Sequence, residues 1–177
     1  MSANRALPHV LVLPEDDANR QIAIGFELEL DWSVQRQFQI LNPPGGWTKI
    51  LETFESDHVG AMDRNPRRFL ILLIDFDNNI GRLAFAKGKI PQRLAHRVFV
   101  LGALSKPERL RSAGLGSYEE IGTRMAKDCR EEDEATWSHE LLNHNADELR
   151  RLRTHIVPIL FRQSENPGAP LDPPFRL

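Results

Sequence analysis

Cysteine is nearly missing from this chain: Cys129 is the only one in 177 residues. One thiol cannot form an internal disulfide framework, and it excludes a zinc site built on several Cys ligands. Long apolar runs are missing too. The longest, Phe69 to Ile74, is far too short to cross a bilayer. The first residues, Met1-Ser2-Ala3-Asn4-Arg5, contain no apolar signal region. These absences lead us to expect a cytoplasmic protein with no membrane partner. Charge of one sign is also missing, the net value being −2, so bulk electrostatics do not announce a nucleic-acid partner. The charges are grouped, however. Arg64, Arg67, Arg68 and Arg150, Arg151, Arg153 are basic groups able to grip phosphates, and Glu131 to Glu134 is an acidic run.

What is present is an ordinary globular balance, 41% hydrophobic and 27% charged, enough for one core. The length fits one domain, expected over 1–162, followed by a Pro-rich tail over 163–177. Apolar runs bounded by turn residues predict strands at His9–Leu13, Gln37–Leu41, Phe69–Ile74 and Arg97–Leu101, with a last one at Val157–Phe161. Helical spacing predicts helices after Asp16 or Asp17, from Thr48 to about Ala61, around Pro91–His96, from Ser117, and from Glu134 to Arg153. Asn79 to Gly81 reads as loop. Strands alternating with helices imply an α/β fold with a mostly parallel central sheet flanked by helices.

In such sheets functional groups gather beyond the carboxyl ends of the strands. Glu15 follows the first strand there. Asp75 and Asp77 follow the central one, and Ser105, Lys106 and Glu108 follow the next. At a strand end, residues two apart point to the same side, so Asp75 and Asp77 are expected to converge. Converging carboxylates repel, and a hard divalent cation such as Mg²⁺ or Mn²⁺ removes that penalty. Glu15 then supplies a third carboxylate, as ligand or general base. Lys106 is placed to neutralise charge on a phosphate oxygen. Turn formation alone also accounts for an Asp-x-Asp.

The order of these motifs resembles the toprim domain of topoisomerases, DnaG-type primases and overcoming-lysogenization-defect nucleases. Toprim domains carry a Glu after the first strand and an Asp-x-Asp after a later one. Here these are Leu11-Val12-Leu13-Pro14-Glu15 and Leu72-Leu73-Ile74-Asp75-Phe76-Asp77. The resemblance covers roughly Pro8 to Ile121 and implies a Rossmann-like toprim fold. Lys106 and Ser117-Tyr118-Glu119 are similar to further positions of the nuclease branch. By that resemblance Lys106 contacts the scissile phosphate, with Ser105 and Ser117 beside the nucleic acid. Glu119 and Asn19 join the metal ligands of a two-metal site. The family has Gly where this chain has Asp16, and an acid where it has Asn19, which offers an uncharged oxygen. The resemblance implies a Mg-dependent endonuclease or nickase on DNA, with an ATPase protein partner as in anti-phage systems, and leaves a homo-oligomer open. A scaffold with an impaired metal site is the second reading. A phosphatase using Asp75 as nucleophile is the third, disfavoured because such enzymes carry Asp-x-Asp after their first strand.

Two further features carry less. His139 and His144 are five apart and so do not share a helix face as a zincin pair would. Asn42-Pro43-Pro44-Gly45-Gly46-Trp47 precedes a helix and reads as a rigid turn, with an anion site at the helix N-terminus as the alternative; the toprim resemblance implies that it lies near the same sheet edge.

Overall fold

A computed structural model describes residues 6–161. Four strands form one all-parallel sheet: β1 (His9–Pro14), β2 (Phe38–Ile40), β3 (Arg68–Leu73) and β4 (Val98–Leu101), in the order β2-β1-β3-β4. Val12 pairs with Ile40, Leu13 with Leu72, and Leu72 with Val100. Both faces are covered, as a parallel sheet requires. Alternation along the strands sends Val10, Val12, Ile71, Leu73, Phe99 and Leu101 into one core, and Leu11, Leu13, Leu70, Leu72, Val98 and Val100 into the other. The α/β architecture expected from the sequence is the architecture observed.

Against the first face pack α1 (Asp17–Glu27), α6 (Tyr118–Glu131) and α7 (Ala146–His155). The Asp16 carboxylate caps α1 by accepting the Asn19 amide, and Ser117 caps α6 through a reciprocal box with Glu120. Gly25 and Gly122 let α1 and α6 approach until backbone meets backbone. The second face is covered by α2 (Trp47–Thr53), α3 (Val59–Arg64) and α4 (Gly81–Gly88). The predicted helix from Thr48 is thus real but interrupted: a π turn over Phe54–His58 joins α2 to α3.

Three expectations are corrected and one helix is added. The helix expected at Pro91–His96 is one 3₁₀ turn, Gln92–Leu94, and the true helix is α4, hidden between two glycines. A short helix α5 (Pro107–Ser112) begins just after Lys106. The helix expected from Glu134 is confined to α7, because Glu132 turns left-handed and the Asp128 carboxylate captures the Thr136 amide. Val157–Leu160 is not a strand but a helical turn, α8, with Pro158 in its first turn, where its missing N–H costs nothing. The Pro-rich tail lies outside the described residues, as does the end of the expected domain.

The β4 edge is closed by side chains of α7 and the turn before it. The Asn145 amide pairs with both backbone groups of Gly102, the Glu148 carboxylate accepts the Val100 amide, and Arg151 donates to Ala95 and Val98 carbonyls. Spaced three apart, these residues replace a missing strand. No helix among the described residues is long and apolar enough to cross a membrane.

Candidate metal centre

The sheet order reverses between β1 and β3, since β2 lies on one side of β1 and β3 and β4 on the other. Beyond the carboxyl ends of strands at such a switch point an α/β sheet opens its crevice. Glu15 and Asp75 stand there. The Glu15 amide donates to the Leu73 carbonyl at 2.8 Å, and the Glu15 Oε2 accepts the Asp75 amide at 2.9 Å. The Glu15 carbonyl turns away to accept the amides of Gly45 and Gly46, anchoring the Pro-Gly turn beside the acid.

Asp75 is only 6% exposed. Its Oδ1 accepts the Asn19 Nδ2 at 3.0 Å, and the same nitrogen donates to the Asp16 Oδ1 at 3.1 Å. Burial, with smaller pushes from Glu15, Asp16 and Glu108, drives the Asp75 carboxyl up to about 7 against the Asn19 hydrogen bond. Glu15 is raised as well, first by burial, with Asp16 and Asp77 adding and the Asp75 amide and Arg82 opposing. For buried Asp75 and half-buried Glu15, burial and repulsion from neighbouring carboxylates outweigh the hydrogen bonds and the Arg82 charge that favour the ionised forms.

Asp77 departs from the expected convergence. The strand ends at Leu73, and Asp77 and Asn78 adopt left-handed backbone at φ +48 and +57, a conformation Asp and Asn tolerate best. Strand alternation therefore stops before Asp77. Its exposed carboxylate pairs with Arg82 at 2.6 Å, and Arg82 also donates to the Asp75 carbonyl at 3.1 Å.

Around this pair, Lys106 is the exposed cap of α5, and the buried Ser105 hydroxyl faces the Asn78 amide at 3.4 Å. Ser117 spends its hydroxyl on the α6 cap, and the backbone of Glu119, in the first turn of α6, lies against Gly25. Neither Lys106 nor Glu119 is drawn into the hydrogen-bonded cluster of Glu15, Asp16, Asn19 and Asp75. Among the described residues no group of three or more His, Cys, Asp or Glu side chains is arranged to hold a metal ion. The pair Glu15 and Asp75 does suit a hard cation, since Mg²⁺ takes one or two carboxylates and keeps water or phosphate oxygens for its other positions.

Arg82 was invisible to sequence reasoning, because only the left-handed turn brings it back to Asp77. Asp16 was visible as an acid beside Glu15, and its link to Asp75 runs through Asn19. Four of the grouped arginines have partners in the molecule: Arg151 and Arg153 bind backbone carbonyls, and, at the surface, Arg150 pairs with Asp147 and Arg67 binds the Ala6 carbonyl. Cys129 is structural, its thiol pushed up to about 12 by burial. No protein-family model, curated protein or solved structure matches the chain.

Proposed function

We propose that this chain is a toprim-type, Mg²⁺- or Mn²⁺-dependent phosphodiester hydrolase, a nuclease or nickase acting on DNA in the cytoplasm. The observation that carries this reading is the Glu15–Asp75 pair, a half-buried carboxylate bonded to the backbone amide of a buried aspartate at the sheet's switch point, with Asp75 raised to about 7. Such a pair is costly to fold and has a use where a cation binds. A bound cation would lower the pKa of its water and stabilise charge on the phosphate. Glu15 and Asp75 would be the ligands, with Asp77 joining them on release from Arg82. Lys106, on the loop from β4, would reach the phosphate, with Ser105 and Ser117 beside the strand and Glu119 at a second cation. An ATPase partner follows only from the toprim resemblance.

A second reading, a scaffold or binding subunit with an impaired site, is favoured by one specific observation. The Asn19 amide donates to both Asp16 and Asp75, and Arg82 pairs with Asp77, so the acids have internal partners without metal.

Incubation of supercoiled plasmid with the protein and Mg²⁺ or Mn²⁺, beside Glu15→Ala and Asp75→Ala, separates the two. Nicking by the wild type that both substitutions abolish supports the nuclease. Undiminished cutting by both variants removes these residues from the site, and no cutting by the wild type favours the scaffold.

A further inference from the structure

Phe85 is turned the wrong way for a core residue. It lies in α4, whose Ala86 is buried and whose Leu83 packs against the core, yet Phe85 is 54% exposed. Ile80, just before α4, is 52% exposed. The Phe85 ring lies 6.1 Å from that of half-buried Trp47, tilted by 45°. Each ring has a cation over it: the Lys89 Nζ is 5.4 Å from Phe85, and the Arg82 guanidinium is 5.0 Å from Trp47.

This pair of rings is tied to the carboxylates by two short links. The guanidinium over Trp47 is the one that binds Asp77 and the Asp75 carbonyl. Gly46, the residue before Trp47, donates its amide to the Glu15 carbonyl at 3.2 Å. Trp47 therefore sits at the rim of the candidate metal centre, next to the residue bonded to Glu15, and Phe85 lies beside it.

We propose that Trp47 and Phe85 are a stacking platform for an unpaired base of single-stranded nucleic acid, placing the adjoining phosphodiester at Glu15 and Asp75. Aromatic rings accept any base by its π face, and the Lys89 ammonium beside Phe85 is placed to meet a phosphate, whereas Arg82 is held by Asp77 and the Asp75 carbonyl. Bases inside a duplex are already stacked and cannot reach such rings. An apolar protein partner would use Phe85 and Ile80 but would gain little from Lys89 and Arg82 at the rim. The proposal deepens the nuclease reading and rests on it for the placing of the phosphodiester at Glu15 and Asp75, but its test needs no cleavage.

The test is fluorescence anisotropy of labelled oligothymidylate titrated with the full chain in EDTA at low salt. Phe85→Ala removes an exposed ring and should leave the fold intact, as circular dichroism checks. The expected result is an affinity lower by roughly 10-fold for Phe85→Ala, within the range for one stacked base. A similar loss is expected for wild type with an abasic strand of the same length, and weaker binding of a matched duplex. Equal affinity of wild type and Phe85→Ala, equal affinity for abasic and intact strands, tighter binding of duplex, or no binding by wild type would each overturn the platform. Failure of the metal centre appears elsewhere, as intact plasmid with oligonucleotide binding still sensitive to Phe85.

Discussion

The Glu15 carboxylate takes the place of a backbone carbonyl toward Asp75. In an uninterrupted parallel ladder the Asp75 amide would donate to the Glu15 carbonyl. That carbonyl is instead given to Gly45 and Gly46, and the Glu15 Oε2 accepts the Asp75 amide at 2.9 Å. One side chain thus has a structural duty and a candidate ligand duty. The two are separable by substitution. Glu15→Gln keeps an acceptor oxygen, whereas Glu15→Ala leaves the amide of a buried residue unpaired, at a cost of about 1–3 kcal/mol. Urea unfolding in EDTA should therefore find Glu15→Gln near wild type and Glu15→Ala clearly weaker, while both lose Mg²⁺-dependent stabilisation. Equal stability of the two variants would show that the hydrogen bond contributes nothing.

Asp75 makes stability depend on pH in a direction opposite to that of a paired carboxylate. Its unfolded value is near 3.8 and its folded value about 7. Between these the folded state holds a proton that the unfolded state has released. Its contribution is thus complete below about pH 4 and is lost as pH rises through 7. Glu15, also raised, acts in the same sense. Asp75→Asn should then stabilise the fold at pH 8 in EDTA by an amount on the order of a few kcal/mol, read as a higher Tm, and change the stability little at pH 4. Added Mg²⁺ should stabilise the wild type at pH 8 and not the variant, since a ligand stabilises only the state that binds it. An Asp75→Asn protein less stable than wild type at pH 8 would contradict the unrelieved-charge account.

The strands and the acids Glu15 and Asp75 were legible because each rests on a local rule. β1, β3 and β4 are apolar runs, and Glu15 and Asp75 directly follow two of them. What was not legible depended on distant partners. Helical spacing from Glu134 turns Trp137, Leu141, Leu142, Leu149 and Leu152 inward, and all are buried except Leu141, which is half-buried. Yet the chain between Glu134 and Asn145 is irregular, because Asp128 holds Thr136 and the Leu104 amide donates to the Leu141 carbonyl. Val157–Phe161 is apolar in a way that fits strand or helix equally, and with β4's edge already covered no strand position remained there. α4 escaped notice because its Phe85 faces outward and blunts the helical periodicity.

Covering that edge makes Asn145 a keystone. It is 1% exposed, and its amide satisfies the Gly102 N–H and C=O together with the Leu142 carbonyl. Asn145→Ala strands buried backbone groups and should cost about 2–4 kcal/mol. It should also expose part of a parallel edge and promote self-association. Asn145→Asp keeps the acceptor toward the Gly102 N–H but loses the donor, and should lie between wild type and Ala. Denaturant unfolding with light scattering reads both effects. An Asn145→Ala protein as stable and monodisperse as wild type would mean that α7 closes the edge by packing alone.

The contact between α1 and α6 has no slack at Gly122. A Cβ there would lie 1.9 Å from the Ile22 carbonyl oxygen, and one at Gly25 would lie 2.0 Å from the Glu119 carbonyl oxygen. These obstacles are backbone, which cannot rotate aside as a side chain can. Neither glycine has an unusual backbone angle, so the requirement is space and not conformation. In an open helix Gly→Ala would stabilise by about 1 kcal/mol. Here it must push two helices apart, and overpacking of that kind costs typically 1–3 kcal/mol. The sign of the effect is therefore the test. Gly122→Ala and Gly25→Ala should both lower the Tm. Gly60→Ala in α3, where a Cβ would meet only the end of the Arg64 side chain at 3.5 Å, should be neutral or raise it. Because the α6 start carries Ser117 and Glu119, Gly25→Ala should also displace that turn relative to α1. If Glu119 serves a second cation, Mg²⁺-dependent stabilisation should weaken in Gly25→Ala at temperatures where the variant is still folded. Higher Tm values for Gly122→Ala and Gly25→Ala would show that the helices stand farther apart than this packing requires.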